Sequence, residues 1–298
     1  MVRRFPGIHA VLFALFDAEE RLDRRAMAAQ MAYVRDQGAE GVVVLGLATE
    51  VAKLAEAEKR ALIDWAAEDR GGLPLGVTIT GNSVAEQRAL AAYAVGAGAD
   101  WLILQPPLAG SYGAPEYLDF FARVGEGLPV PFAVQNAPQY LGRALSTADL
   151  AALGQRCEGF THVKAETTAA DLAALVALAG EKLTVLNGRG GLEMTDCLRA
   201  GCAGFIVAPD VLPGSLACMS RWRAGDEAGA EAAYADFLPA ATFAMQSLEH
   251  LVCYGKRIFG IRAGLAVHDR APSLRPTEAG LAFARRWAEA GGLEKREG

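Results

Sequence analysis

The stretch FTHVKAETTAADLAALVALAGEKLTVLNGRGGLEMTDCLRAGCAGFIVAP, residues 160–209, carries the pattern that decides the fold. Apolar runs at 160–166, 183–188 and 204–209 alternate with Ala-rich stretches at 169–179 and 192–200, whose apolar residues recur at helical spacing. A short run of aliphatic and β-branched residues reads as a strand buried on both faces, the kind found in parallel sheets. The second helical stretch runs into Gly201-Cys202-Ala203-Gly204, as expected when glycine ends a helix in the left-handed conformation and the chain turns directly into a strand.

The alternation extends outward to both sides. Further strands are predicted at 9–16, 41–46, 75–80, 101–106 and 130–136, and further helices at 24–37, 56–69, 84–97, 116–125, 147–155 and 212–223. That makes eight strands, each followed by a helix. No G-x-G-x-x-G follows the first strand, which weakens the open dinucleotide-binding sheet. Eight β/α units predict a closed (β/α)8 TIM barrel, an α/β fold. From about residue 226 the texture is helical with no strand runs, at 227–250, 255–267 and 277–290. The predicted organisation is a barrel over 1–225 and a C-terminal helical extension over 226–298 packed on it.

Composition narrows the function. Of 298 residues, 52% are hydrophobic and 21% charged, enough apolar surface for a large core and no case for disorder. A net charge of -6 without basic blocks predicts no nucleic-acid and no membrane partner. The N-terminal seven residues are basic, but the apolar stretch behind them, 11–16, is too short for a signal core, so a cytoplasmic protein is expected. Five cysteines, an odd number without C-x-x-C, read as free thiols rather than disulfides or a zinc site, and no metal is expected.

In a parallel barrel, chemistry sits where strands end at their carboxyl side. That selects 46–50, 105–107, 135–138, 164–166, 187–191 and 208–210. Only six residues are Lys, and Lys53, Lys59, Lys182, Lys256 and Lys295 read as helix-surface or loop positions, with Lys256 open to partial burial. Lys164 alone stands inside a strand. Burial disfavours an ammonium, leaving more free amine to attack a carbonyl, which is the chemistry of a Schiff-base lysine. The competing reading is a lysine paired with Glu166 or Glu50 and doing no chemistry. His162 falls on the same side of its strand as Lys164 and reads as filling a lower barrel layer.

Together, Leu45-Gly46-Leu47-Ala48-Thr49-Glu50, Gln135-Asn136-Ala137-Pro138, Val163-Lys164, Asn187-Gly188 and the helical extension resemble the dihydrodipicolinate synthase / N-acetylneuraminate lyase superfamily. These are Schiff-base-forming class I aldolases and lyases, usually homotetramers, and the resemblance runs from about residue 7 to 290. It implies an imine between Lys164 and a 2-oxo acid such as pyruvate or a 2-keto-3-deoxy sugar acid, with Ile206 lining the pocket. No cofactor is implied, because the imine is itself the electron sink.

The departures are as informative. The family's hydroxyl-rich loop reads Gly46-Leu47-Ala48-Thr49-Glu50 here. The backbone amides of Leu47 and Ala48 remain able to hold a carboxylate as an anion nest, with Thr49 one residue displaced from the usual hydroxyl. Gln135 stands at the proton-relay tyrosine, and an amide orients through hydrogen bonds without titrating. Gln135 and Asn136 are therefore expected to orient substrate or a water. Tyr140 takes the place of the synthases' arginine, and Pro107 and Leu108 that of the fourth-strand tyrosine, with Tyr112 in the same loop. Arg189, in Gly188-Arg189-Gly190-Gly191, is expected to bind a distal substrate group; the bland reading of this loop is a glycine turn.

Three functions follow from these residues. The leading one is a lyase, aldolase or dehydratase acting on a 2-oxo acid through Lys164, in a homotetramer or homodimer. A barrel that has lost its chemistry and binds a ligand or regulates is the alternative. The third is an enzyme of phosphorylated substrates that uses the glycine-rich seventh-strand loop.

Overall fold

The structure, a computed structural model, describes residues 4–290. The strands are β1 (Gly7–Val11), β2 (Gly41–Val44), β3 (Leu75–Ile79), β4 (Trp101–Leu104), β5 (Phe132–Asn136), β6 (Phe160–Ala165), β7 (Thr184–Asn187) and β8 (Gly204–Val207). All pair in parallel, in sequence order, and β8 closes on β1 through Ile8↔Phe205 and His9↔Ile206. The closed (β/α)8 barrel is thus present. Its helices are α1 (Arg24–Asp36), α2 (Glu56–Asp69), α3 (Val84–Gly96), α4 (Ala114–Gly125), the single turn α5 (Pro138–Leu141), α6 (Thr147–Arg156), α7 (Ala169–Ala179), α8 (Met194–Arg199) and α9 (Leu212–Arg223). Several start where the sequence supplies an N-cap. The Asp23 carboxylate accepts from the Arg25 and Ala26 amides, and the Ser83, Ser146 and Thr168 hydroxyls accept from amides three residues on.

The strand expected at 9–16 is shifted: β1 starts at Gly7 and ends at Val11. Just beyond it the Leu12 N–H still donates to the Val43 carbonyl, and at Phe13 a side chain takes over. The Gln30 amide accepts from the Phe13 N–H and donates to the Phe13 carbonyl, both at 2.9 Å. The amino end of the barrel is plugged by aromatic rings. Trp101 lies 5.7 Å from Phe5, 5.5 Å from His9 and 5.3 Å from His162, centroid to centroid. Glycines make the space, since a Cβ on Gly41 would strike the His9 ring and one on Gly76 the Trp101 indole. His162 accepts the Phe5 N–H at Nε2, which requires a neutral ring; burial lowers its pKa to about 3. It is a packing residue of the lower layer.

The continuous helix expected over 227–250 is broken. Helix α10 (Glu227–Ala244) stops, a single turn α11 (Leu248–His250) restarts under a Ser247 cap, and a π turn (Leu251–Gly255) leads into α12 (Lys256–Ala263). Gly264 then adopts φ 67°, ending α12 short of the expected residue 267, and α13 (Glu278–Ala290) follows. Arg262 donates to the Trp287 and Ala288 carbonyls, pinning the end of α13 to α12. Phe237, Ala241, Leu251 and Phe259 belong to the same apolar core as the barrel strands. Residues 1–3 and 291–298, the outer ends of the two expected units, and Lys295 with them, lie outside the described residues.

Candidate active site

Lys164 stands one residue before the end of β6, between Gln135 on β5 and Leu186 on β7 in register, and is 4% exposed. Strand alternation puts Glu166 on the same side as Lys164. Its carboxylate Oε1 lies 3.0 Å from Lys164 Nζ and accepts a second bond from Gln135 Nε2 at 2.5 Å. Gln135 Oε1 in turn accepts from Gln105 Nε2 at 2.8 Å. A buried chain Lys164–Glu166–Gln135–Gln105 therefore crosses the barrel mouth, with the carboxylate aimed by an amide on one side and an ammonium on the other. Of the two partners the sequence allowed Lys164, the structure selects Glu166.

A pocket of about 40 Å³ opens above this pair, and Leu47, Ala48, Lys164, Gly188, Arg189 and Ile206 all line it. Leu47–Thr49 form one 3-10 turn after Gly46, and the first N–H groups of such a turn have no partner within it. Leu47 also lines a neighbouring cavity of about 400 Å³, as does Leu248. Three predicted residues are elsewhere. Thr49 is fully buried and its hydroxyl donates to the Leu12 carbonyl at 2.6 Å, so it holds the loop rather than facing the pocket. Asn136 spends its amide on Leu145, accepting from its N–H at 2.9 Å and donating to its carbonyl at 3.0 Å, which closes the loop around α5. Gln135 lies behind Glu166 and reaches the pocket only through it. Tyr112 is 55% exposed, against Tyr117.

The glycine-rich loop serves packing. A Cβ on Gly188 would strike Glu166 and one on Gly190 would strike Met245, so these positions leave room for the Glu166 carboxylate and for Met245, both of which line the pocket. A carboxylate against Gly188 is unfavourable for phosphate, which weighs against the third function. Arg189 Nη1 donates to the Thr167 carbonyl at 3.0 Å and pairs with Glu193 at 2.5 Å, while its buried Nε has no partner among the described residues. Leu45, Glu50, Arg189 and Glu193, four of the five non-glycine residues at positive φ among those described, flank the two loops that line the pocket. Such backbone is sparsely populated and held by its surroundings, as at functional sites.

The pocket is also lined by residues to which the sequence assigned no part in binding or chemistry. Tyr140, brought in by α5, lines the pocket, and its phenol pKa is raised by burial and then by the Glu166 carboxylate, with the Arg189 guanidinium opposing. Met245, Leu248 and Leu251 come from the break after α10. The period of two along β6 was the available signal for Glu166, and the place of the synthases' arginine that for Tyr140; none marked Met245, Leu248 or Leu251. Lys256, expected at a helix-surface or loop position open to partial burial, is fully buried and paired with Glu50, which also takes Lys53 at 2.6 Å. Burial alone therefore does not single out Lys164; its place in the pocket does. All five cysteines are free, and among the described residues no cluster of three or more His, Cys, Asp or Glu is placed to hold a metal. Among the described residues no helix is long and apolar enough to cross a membrane.

A family model described as the dihydrodipicolinate synthetase family matches residues 4–272. The chain is 28% identical over 243 residues to L-2-keto-3-deoxyarabonate dehydratase of Azospirillum brasilense, covering 79% of this chain and 78% of that one. It is 25% identical over 217 residues to 4-hydroxy-tetrahydrodipicolinate synthase of Methanosarcina mazei, covering 72% and 74%. Among solved structures, YagE, a prophage protein of the dihydrodipicolinic acid synthase family from E. coli K12 in complex with pyruvate, superposes with TM-score 0.88 at 23% identity, covering 96% of this chain and 98% of that one. Dihydrodipicolinate synthase from Thermotoga maritima gives 0.89 at 18% identity, covering 97% and 99%. These two likenesses concern the fold.

Proposed function

Because the chain belongs to the dihydrodipicolinate synthetase family, we propose that it is a Schiff-base lyase that eliminates water from a 2-oxo-3-deoxy sugar acid, with the imine on Lys164. The observation that carries this reading is the buried carboxylate of Glu166, 3.0 Å from Lys164 Nζ. Glu166 takes a proton from the ammonium, the free amine adds to the substrate's C2 carbonyl, and Glu166 returns that proton to the carbinolamine hydroxyl, which leaves as water to give a protonated imine and a free carboxylate. The imine withdraws electrons from C3, and the freed Glu166 carboxylate then takes the C3 proton. Its removal gives an enamine, which expels the C4 hydroxyl as water; hydrolysis of the unsaturated imine regenerates the lysine.

The remaining residues bind and aim. The Leu47 and Ala48 amides take the substrate carboxylate, Gly188 and Ile206 bound the keto head, and the unpartnered Arg189 Nε donates to a distal hydroxyl. Gln135 holds Glu166 in place. Elimination is favoured over aldol chemistry because a carboxylate base stands beside the lysine while position 135 carries no phenol, and the dehydratase named for Azospirillum brasilense supports the same class. The reading includes a cytoplasmic enzyme without a cofactor, assembled as a homotetramer or homodimer.

A second reading, a ligand-binding or regulatory barrel, draws on the same ion pair, since a paired ammonium is not a nucleophile. Borohydride trapping separates them. Incubation with pyruvate or 2-keto-3-deoxyarabonate, reduction and peptide mass spectrometry is expected to give one adduct, on the Lys164 peptide, absent in Lys164→Ala. No adduct with either acid in the folded protein means the binding reading.

A further inference from the structure

We infer that Tyr140 is the proton donor to the departing hydroxyl, the acid that strand β5 lacks in this chain. The inference rests on the dehydration reading above. Expulsion of hydroxide from an enamine at neutral pH needs a proton delivered to the leaving oxygen. Four side chains lining the pocket carry exchangeable protons or can accept them: Lys164, Glu166, Arg189 and Tyr140. Lys164 is consumed in the imine, Glu166 receives the C3 proton, and a guanidinium does not release protons in the useful range. The phenol is the one neutral, proton-bearing group left among them.

Its placement is built rather than incidental. Pro138 opens α5, Gly142 closes it in the left-handed conformation, and the two bonds between Asn136 and Leu145 fasten the loop on its far side. Three residues after the buried Ala137, Tyr140 is half-buried over the Lys164–Glu166 pair. Burial and the neighbouring carboxylate keep the phenol protonated, so in the neutral range it donates. Once it has given its proton, Arg189 lies close enough to favour the phenolate. The protons balance: the C3 proton moves to Glu166, the Tyr140 proton leaves with the C4 oxygen as water, and Glu166 returns its proton to Tyr140. The C3–H electron pair becomes the new C3–C4 double bond through the enamine as the C4–O bond breaks, with no net oxidation.

Three measurements on full-length Tyr140→Phe separate this role from its parent reading. Borohydride trapping with pyruvate reports the imine, and deuterium uptake into the pyruvate methyl group, followed by NMR, reports Glu166 acting at C3; pyruvate has no hydroxyl to lose. Elimination from 2-keto-3-deoxyarabonate reports the acid. Trapping and exchange within threefold of the parent protein, with elimination at least a hundredfold slower, is the expected result. Elimination within threefold overturns the inference. Equal loss of exchange and elimination also overturns it, since the phenol would then be positioning the keto head. A parent protein that traps and exchanges but eliminates no water removes this inference and the substrate class while leaving the imine on Lys164; one that forms no imine removes the lyase reading itself.

Discussion

Replacing Asp210 with Asn makes the protein more stable at neutral and alkaline pH, by an amount that vanishes in acid. Asp210 follows β8, is 2% exposed, and its Oδ1 has no partner among the described residues. Burial pushes its carboxyl from 3.8 up to about 6, with Arg262 only partly opposing. The folded state therefore holds a proton that the unfolded chain has already lost between those two values. Stability falls as pH rises through that window and is level beyond it. The span of about 2.2 units corresponds to about 3 kcal/mol at full development. Between pH 4.5 and pH 8, where the penalty grows from about 1 to about 3 kcal/mol, the advantage of Asn over Asp grows by about 2 kcal/mol. At ~2.1 cal/mol/K per residue over 298 residues this is about 3 °C in melting temperature. Urea unfolding of both proteins across that range measures it, and because Asn keeps the shape of Asp, packing differences cancel in the pH trend. A difference that is flat with pH, or shrinks as pH rises, refutes the assignment of a buried, proton-retaining carboxyl.

Glu166→Gln is expected to leave borohydride trapping within about threefold while slowing deuterium uptake at the pyruvate methyl by about a hundredfold or more, the usual share of a general base; unchanged exchange would remove Glu166 from the chemistry. Gln105→Leu deprives Gln135 Oε1 of its donor but also deletes the Gln105 Oε1 that has no partner, so stability changes by less than about 1 kcal/mol while kcat falls about tenfold at constant KM. A loss of stability without a change in kcat would make the amide chain structural only. Lys256→Met strands the buried Glu50 carboxylate with Lys53 alone and costs about 3–5 kcal/mol, part of it recovered when Glu50→Gln is added; denaturation of the two single variants and the double variant gives the coupling, and a single-variant loss under about 1 kcal/mol contradicts it.

The barrel was legible because its signal is local and repeated. A parallel strand buried on both faces must be apolar along its length, and a helix must follow each one to return the chain, so β2 to β8 stand within about two residues of the predicted runs. Lys164 was legible for the opposite reason, as the one lysine inside such a run, and the period of two along β6 put Glu166 on its side. Where a backbone is satisfied from a distance the reading failed: Gln30 ends β1 early, and Ser247 restarts a helix that composition would have carried through residue 250.

Sequence alone thus gave the element order, the end of the barrel where the candidate pocket opens, and the lysine that lines it, since each depends on periodicity along a single strand or helix. Only the tertiary structure decided what each polar side chain does there. Thr49 and Asn136 read as substrate ligands until the backbone of Leu12 and Leu145 is seen to claim them. Lys256 read as a surface or loop position open to partial burial until α12 meets Glu50, and Met245 showed no sign of reaching the pocket. The physical reason is that a hydrogen bond or an ion pair forms with whatever group the fold brings within about 3 Å, and Lys256 and Glu50, for one, are 206 residues apart in the chain.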